Sequence, residues 1–409
     1  MVHGLAKVLL LATALSGLCP PALANTTAAN VDTVPVAGFP LRLAQSDITI
    51  FPGVSIPSTA QHQSAPAEPA VRMALLLPLR SDALGVAADA VRAGFLAAHE
   101  REQEGMAVTV VETGDAPQDV LSAYVDAAAQ HDIVIGPLSR SGVAAIAQSG
   151  EVRKPTIALT PPDLAAADAK LPQQMLVMGL SIEDEARQVS RWASANKVAG
   201  RALTLSSNIA WQRRASNAFA EQWQKQGKEI ESIELPAYSG YLAANDLAQL
   251  KTQIEFDKPS LIFLALDDRQ AKQLRAAIGN EIPMYGTSQL NPVALTDWSS
   301  ADRAPDMDGI RLLDIPWQLQ SDHPAVMGYP RLIANPEQKR RADIERLYAL
   351  GIDAYRVARE IALKHTEFEL DGVTGKLRVR FDSAAPSFER IGQQAIYREG
   401  SVTAVSGSR

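Results

Sequence analysis

Met73-Ala74-Leu75-Leu76-Leu77-Pro78-Leu79 is an unbroken apolar run with a proline near its end. A run this short, bounded by turn residues and without polar alternation, suits a strand buried on both faces of a parallel sheet. Beyond Ser81 the apolar period changes. Leu84, Ala88, Val91, Phe95 and Ala98 recur at steps of three and four, the spacing of one helix face. Strand followed by amphipathic helix marks the start of an α/β domain here.

What precedes the run has a different character. Residues 25–71 lack periodicity and repeat proline, at Pro35, Pro40, Pro52, Pro57, Pro66 and Pro69. Such composition buries too little apolar surface to offset chain entropy, so a disordered tether is expected. Within it, Asp47-Ile48-Thr49-Ile50-Phe51 is a minor candidate to join a sheet edge. Earlier still, Lys7 precedes an apolar stretch over residues 8–15, and Ala22-Leu23-Ala24 supplies small residues for cleavage. Residues 1–24 read as a secretory signal peptide, too short for a membrane span. Cys19 is the single cysteine. An acylated cysteine follows a small residue, and Leu18 fills that position. Lipidation at Cys19 is therefore the lesser reading beside cleavage after Ala24. The mature chain would then hold no cysteine and rest on its core alone.

Towards the C-terminus, strands are expected over residues 106–112, 132–135, 156–159 and 174–178. Helices over 120–129 and 143–148 lie between them, with Leu121, Tyr124, Val125 and Ala128 in phase on the first. A second series opens at Ser181-x-x-Asp184, which resembles a capping box, with Ile182, Ala186, Val189 and Trp192 on one side. Strands are expected over 202–206, 261–266, 284–287 and 310–313. Trp211, Ala215, Phe219 and Trp223 form a helix stripe that Gly227 can cap. A short helix covers 247–254, and Ala271, Leu274 and Ile278 face inward on another. Ile344, Tyr348, Gly351, Tyr355, Ala358 and Ala362 mark a long helix. Turn pairs at Asp371-Gly372 and Thr374-Gly375 then flank antiparallel strands over 376–381 and 394–399. Two β/α series with a late return imply two similar lobes, each an open, mostly parallel sheet flanked by helices.

The bulk numbers fit this. The 409 residues are 46% hydrophobic and 21% charged, enough for two domains of ordinary size. A net charge of −7 argues against a broad nucleic-acid footprint. Catalytic signatures are absent: no G-x-G-x-x-G, no G-x-x-x-x-G-K-[ST], no G-x-S-x-G. His62, His99, His131, His323 and His365 show no metal-ligand spacing. Glu183-Asp184-Glu185 sit where acids favour a helix dipole, and Asp267-Asp268 follow a strand where aspartate caps the next helix. No enzyme activity, cofactor or metal is expected.

Ligands of open α/β sheets lie beyond the carboxyl ends of the strands. In the first series those loops carry Pro78 and Ser81, then Gly136, Ser139 and Arg140, then Thr160. In the second they carry Ser206, Asn208 and Trp211, then Asp267, then Thr287 and Ser288. Gly136 lets backbone approach closely, and Ser139 offers a hydroxyl near a helix start that favours a carboxylate or another anion. Arg140 can pair with that anion. Singly, each loop is a plain strand–loop–helix turn, with Ser139 as N-cap; together they make a candidate cleft.

Several stretches carry a family resemblance. Besides the run at 73–79 they are Val91-Arg92-Ala93-Gly94-Phe95-Leu96-Ala97-Ala98, Ile133-Val134-Ile135-Gly136-Pro137-Leu138 and Gly179-Leu180-Ser181-Ile182-Glu183-Asp184-Glu185-Ala186. Ala218-Phe219-Ala220-Glu221-Gln222-Trp223, Tyr285-Gly286-Thr287-Ser288, Asp308-Gly309-Ile310 with Pro316-Trp317, and Gly372-Val373-Thr374-Gly375 continue it. The most specific is Arg346-Leu347-Tyr348-Ala349-Leu350-Gly351-Ile352-Asp353-Ala354-Tyr355-Arg356. Residues 72 to about 400 resemble the C-terminal domain of the LppC or LpoA-type activators of penicillin-binding proteins, with a type I periplasmic-binding-protein-like fold. The resemblance implies a non-catalytic periplasmic regulator that binds and activates a class A penicillin-binding protein in peptidoglycan synthesis. Outer-membrane association would come through a lipid on Cys19. It also implies three crossings between lobes, near Leu180, Pro316 and Leu370. Lobe 1 would then take residues 72–180 and 317–369, and lobe 2 residues 181–316 and 370–400. Longer members carry a helical repeat domain where this chain has its proline-rich segment. Their Trp-Gly-Gln-Arg helix start is here Trp211-Gln212-Arg213-Arg214. The alternative is a solute receptor for an amino acid or related small molecule, feeding an ABC transporter. Asp267 and Asp268 would then meet the ammonium and Ser139 the carboxylate.

Overall fold

The computed structural model describes residues 71–102, 105–163, 170–196, 200–295, 299–332, 342–381 and 385–405. The expected signal peptide, Cys19 and the expected tether up to residue 70 lie outside the described residues. The apolar run becomes strand β1 (Val71–Leu77). Met73, Leu75 and Leu77 face one core with Phe95 and Ile352, while Ala74 and Leu76 face another with Val120 and Tyr124. Both faces are covered, which is why the run shows no polar alternation.

The first lobe continues with α1 (Gly85–Arg101), β2 (Met106–Glu112), α2 (Pro117–Gln130), β3 (Ile133–Ile135), α3 (Arg140–Gln148), β4 (Thr156–Ala158) and β5 (Met175–Val177). Its sheet is parallel, in the order β2-β1-β3-β4-β5. The second lobe holds α4 (Ile182–Ala195), β6 (Ala202–Ser207), α5 (Ala210–Lys225), β7 (Ile230–Leu235) and a small hairpin of β8 (Ala237–Tyr238) and β9 (Tyr241–Leu242). Then come α6 (Ala244–Asp257), β10 (Leu261–Ala265), α7 (Asp268–Ile278), β11 (Met284–Gly286) and β12 (Arg311–Asp314). Single turns α8 (Pro316–Leu319) and α9 (Pro324–Met327) lead to the long α10 (Ala342–Ala362). The chain closes with β13 (Glu367–Asp371), β14 (Lys376–Arg380), β15 (Ser387–Ile391), β16 (Gln393–Arg398) and β17 (Ser401–Ala404). The second sheet runs β17-β16-β12-β11-β10-β6-β7, parallel except for β16 and β17.

Helix α10 returns to the first lobe and crosses α1 at two glycines. A Cβ on Gly94 would overlap the carbonyl of Tyr348, and one on Gly351 would overlap that of Val91. The backbones touch there because neither residue has a side chain. Around this crossing α10 is buried on nearly every side, polar Glu345, Arg346 and Asp353 included. The single stripe expected of it is therefore too narrow a description.

Three other expectations need correction. On α2 the buried residues are Val120, Tyr124 and Ala127, while Val125 is exposed, because the helix begins at Pro117 with Val120 towards the sheet. The expected strands over 376–381 and 394–399 belong to different sheets: β14 pairs with β13 and β15, and β16 pairs with β12. The third crossing lies at Gly392 rather than near Leu370. Phe368, Leu370, Leu377, Val379 and Phe388 pack into the first lobe's core. Asp353 on α10 holds that sheet by accepting from Val373 N–H (3.1 Å), Thr374 N–H (2.8 Å) and the Thr374 hydroxyl (2.6 Å).

Gly351→Ala separates packing from propensity. Alanine gains about 1 kcal/mol of helix propensity, yet the collision should leave a net loss of at least about 2 kcal/mol. Gly85→Ala in α1, whose Cβ meets nothing closer than 3.5 Å, should be neutral or mildly stabilising. Thermal unfolding of the two variants checks this.

Candidate functional site

Most of the strand-end residues singled out in the sequence are engaged within the protein. Ser81 is buried, and its hydroxyl accepts from Ala83 N–H (3.2 Å) and Leu84 N–H (2.8 Å) beside buried Pro78. Gly136 sits at φ 117°, where a Cβ would overlap the Leu76 carbonyl, so its role is packing. Ser139 caps α3, accepting from Gly142 N–H at 3.2 Å. Thr160 is half-buried against Gly179, and Ser206 is buried in β6. Asn208 is exposed, its carbonyl accepting from Arg213 (3.1 Å), and Trp211 is half-buried on the first turn of α5. Thr287 is fully buried, its hydroxyl without a partner among the described residues. Ser288 donates from N–H (2.9 Å) and hydroxyl (3.1 Å) to the Glu185 carboxyl.

Asp267 caps α7 in a full capping box with Gln270. Burial raises its carboxyl above the ordinary aspartate range against the Gln270 N–H, and the neighbouring Asp268 charge adds to the rise. It lines a cavity of about 420 Å³ with Asp268, Arg269, Gln289, Asn291 and Arg346. Arg140, in the first lobe, lies 3.5 Å from the Pro162 carbonyl and attracts Glu183 of the second. Burial pushes the Glu183 carboxyl up, but Arg214 at 2.7 Å, its own N–H and Arg140 together hold it below the usual glutamate range.

The densest polar chemistry lies where the chain crosses between lobes, and single-residue reasoning missed it. Arg346 of α10 forms a two-pronged pair with Asp314 at the end of β12, at 2.9 and 2.7 Å. Both side chains are 5% exposed or less. The same guanidinium donates to the carbonyls of Ser288 (3.0 Å) and Asn291 (2.8 Å) and to Asp343 (3.0 Å). Arg390, at the end of β15, donates to the carbonyls of Met178 (2.9 Å) and Gly179 (2.8 Å) and to the Thr374 hydroxyl (3.0 Å). Burial lowers its pKa to about 10. Gln188 accepts from Gly392 N–H at 3.0 Å. All three crossings thus border one cavity of about 150 Å³, lined among others by Gly179, Glu185, Asp314, Arg390 and Gly392. Burial, with Asp314 adding to it, pushes the Glu185 carboxyl up to about 7 against the Ser288 bonds and Arg346. The sequence signal for this cluster was the stretch over 346–356.

Two lobes of open α/β sheet, joined by three crossings over a polar hinge, define the type I periplasmic-binding-protein-like fold. A structure from Chromobacterium violaceum, titled "a putative branched-chain amino acid ABC transporter", is 35% identical, covering 80% of this chain and 100% of that one, with a TM-score of 0.64. The family model described as "LppC putative lipoprotein" matches residues 65–386, and the chain belongs to this family. The C-domain of LpoA from Haemophilus influenzae, described as a regulator of PBP1A, is 20% identical over 82% of this chain and 99% of that one, with a TM-score of 0.63. Full-length LpoA from the same organism is matched at 20% identity and a TM-score of 0.64; the match covers 83% of this chain but only 59% of LpoA. Comparison with curated proteins gives no match.

Two outcomes follow from the hinge. Arg346→Met leaves Asp314 as an uncompensated buried charge and should cost about 3–5 kcal/mol in denaturant unfolding. Glu185 keeps its proton in the folded protein between the unfolded value near 4.5 and about 7. Its stabilising contribution is full below 4.5 and is lost as pH rises towards 7. Glu185→Gln, which keeps the neutral shape, should match wild type near pH 4 and exceed its stability at pH 8 by on the order of 2 kcal/mol. Unfolding curves at the two pH values read this directly.

Proposed function

We propose that the protein is a non-catalytic periplasmic regulator that binds a class A penicillin-binding protein and raises its peptidoglycan cross-linking. The observation that carries this reading is the commitment of the strand-end donors. A solute site needs a few convergent polar groups free to meet the ligand. Here the Ser81 and Ser139 hydroxyls cap their own turns, Ser288 is held by Glu185, and Thr287 and Ser206 are buried. Strand-end hydroxyls that are either engaged within the protein or buried suit a surface-acting protein. Membership of the LppC family supports the same reading, as does likeness to a domain described as a regulator of PBP1A. In this reading residues 1–24 direct export and residues 25–70 form the tether, with Val71 already in β1. No helix among the described residues is long and apolar enough to cross a membrane.

A second reading has one observation in its favour. The cavity beside Asp267 and Asp268 sets carboxylates near Arg269, a pairing that can hold an amino acid, and the Chromobacterium violaceum structure carries a transporter title.

Purified protein should co-precipitate a class A penicillin-binding protein and raise the cross-linked fraction of its product. No capture and no rate change at saturating concentration would sink the regulator reading. Melting temperature should stay flat across a panel of amino acids and muropeptides; a rise that grows with the concentration of one member favours the receptor instead.

A further inference from the structure

At the amino ends of β11 and β12, on the far side of the second lobe from the cleft loops, lies an open groove of about 470 Å³. Strand alternation explains its floor. Ala395 and Tyr397 of β16 point into the core on the α6 and α7 side, so Ile396 and Arg398 point to the opposite face. There α4 packs against β11 and β12, and α5 against β6, β7 and β10. Half-buried Trp192, in the last turn of α4, forms the wall, and Tyr285, buried at 1% exposure, lies behind it. Trp192 meets the Tyr285 ring edge-on at 5.4 Å, and Asn196 donates to the Tyr285 hydroxyl at 3.1 Å. The aromatic wall is thus fixed before any partner arrives, which lowers the entropy cost of binding.

Charge marks this groove. Many surface arginines, such as Arg72, Arg92, Arg201 and Arg380, pair with carboxylates, whereas here two unpaired ones lie together. Arg311 instead lies over the Tyr285 ring at 5.5 Å, and Arg398 is exposed on the rim. Among the described residues neither side chain has an ion pair or hydrogen bond. In a chain of net charge −7, two arginines without carboxylates flank the partly exposed Trp192. Trp, Tyr and Arg are the residues that dominate interface hot spots.

We propose that this groove docks an acidic segment of a partner protein, with Arg311 and Arg398 meeting its carboxylates and an apolar side chain against Trp192, whose ring the buried Tyr285 backs. The inference rests on the regulator reading and names the surface that reading needs. Charge complementarity selects an acidic polypeptide as the occupant.

The test measures binding to two probes: a purified class A penicillin-binding protein and a random glutamate–tyrosine copolymer. R311E/R398E should weaken binding of both by about 30-fold or more. R378E/R380E, the same charge change on the exposed face of β14, should shift neither by more than about threefold. If R311E/R398E binds both probes as wild type does, the groove is overturned and the regulator reading stands. If wild type binds the copolymer through these arginines but not the synthase, the groove stands and the regulator reading falls. If wild type binds neither probe, the groove is overturned. Capture of wild type, but not R311E/R398E, on phosphatidylglycerol vesicles also overturns a polypeptide occupant. Circular dichroism checks folding; if the double variant unfolds, R398E alone, altered at an exposed side chain, is read in its place.

Discussion

The buried pair of Arg346 and Asp314 is the constraint on which the relation between the lobes depends. Desolvating two charges costs several kcal/mol per ion, and a single contact seldom offsets that. Here the geometry is two-pronged, and the remaining guanidinium N–H groups go to the carbonyls of Ser288 and Asn291 and to Asp343. One side chain on a first-lobe helix therefore fixes the end of β12 and the loop after β11, both in the second lobe. Removing either charge would leave the other stranded in a medium that cannot hydrate it.

That constraint reaches the cleft. Ser288 is gripped from its carbonyl side by Arg346 and from its N–H and hydroxyl by Glu185. Ser288 therefore has no donor left to turn towards a solute. Across the cleft, Glu183 lies between Arg214 of its own lobe and Arg140 of the other, so the lobes attract through charge as well as through the hinge.

Legibility in the sequence followed burial. β1 and β10 were readable because both faces are covered, leaving uninterrupted apolar runs. The N-cap at Ser181 was readable because capping is local: its hydroxyl accepts from Asp184 N–H at 3.1 Å. The phase of α2 was misread because Val125, an apolar residue, faces water. β7, β13 and β15 escaped because each mixes charged and apolar residues over only five or six positions, and β15 even leaves Ile391 exposed while Arg390 is drawn inward. The hinge cluster left no periodic trace at all. Its partners, such as Glu185 and Ser288 or Arg390 and Gly179, are separated by 103 and 211 residues. Polar residues at such distances look like ordinary surface until the fold brings them together.

The glycine crossing of α1 and α10 has a consequence for the order of assembly. Gly94 is made early, and Gly351 only after every parallel strand of the second lobe. A chain emerging from its N-terminus therefore carries the apolar side of α1, with Val91, Phe95 and Ala98, uncovered through most of its synthesis. The parallel strands of the second lobe are available to pair before the first lobe can be completed. Until the last quarter of the chain arrives, that bare helix face is the surface most in need of shelter from other chains.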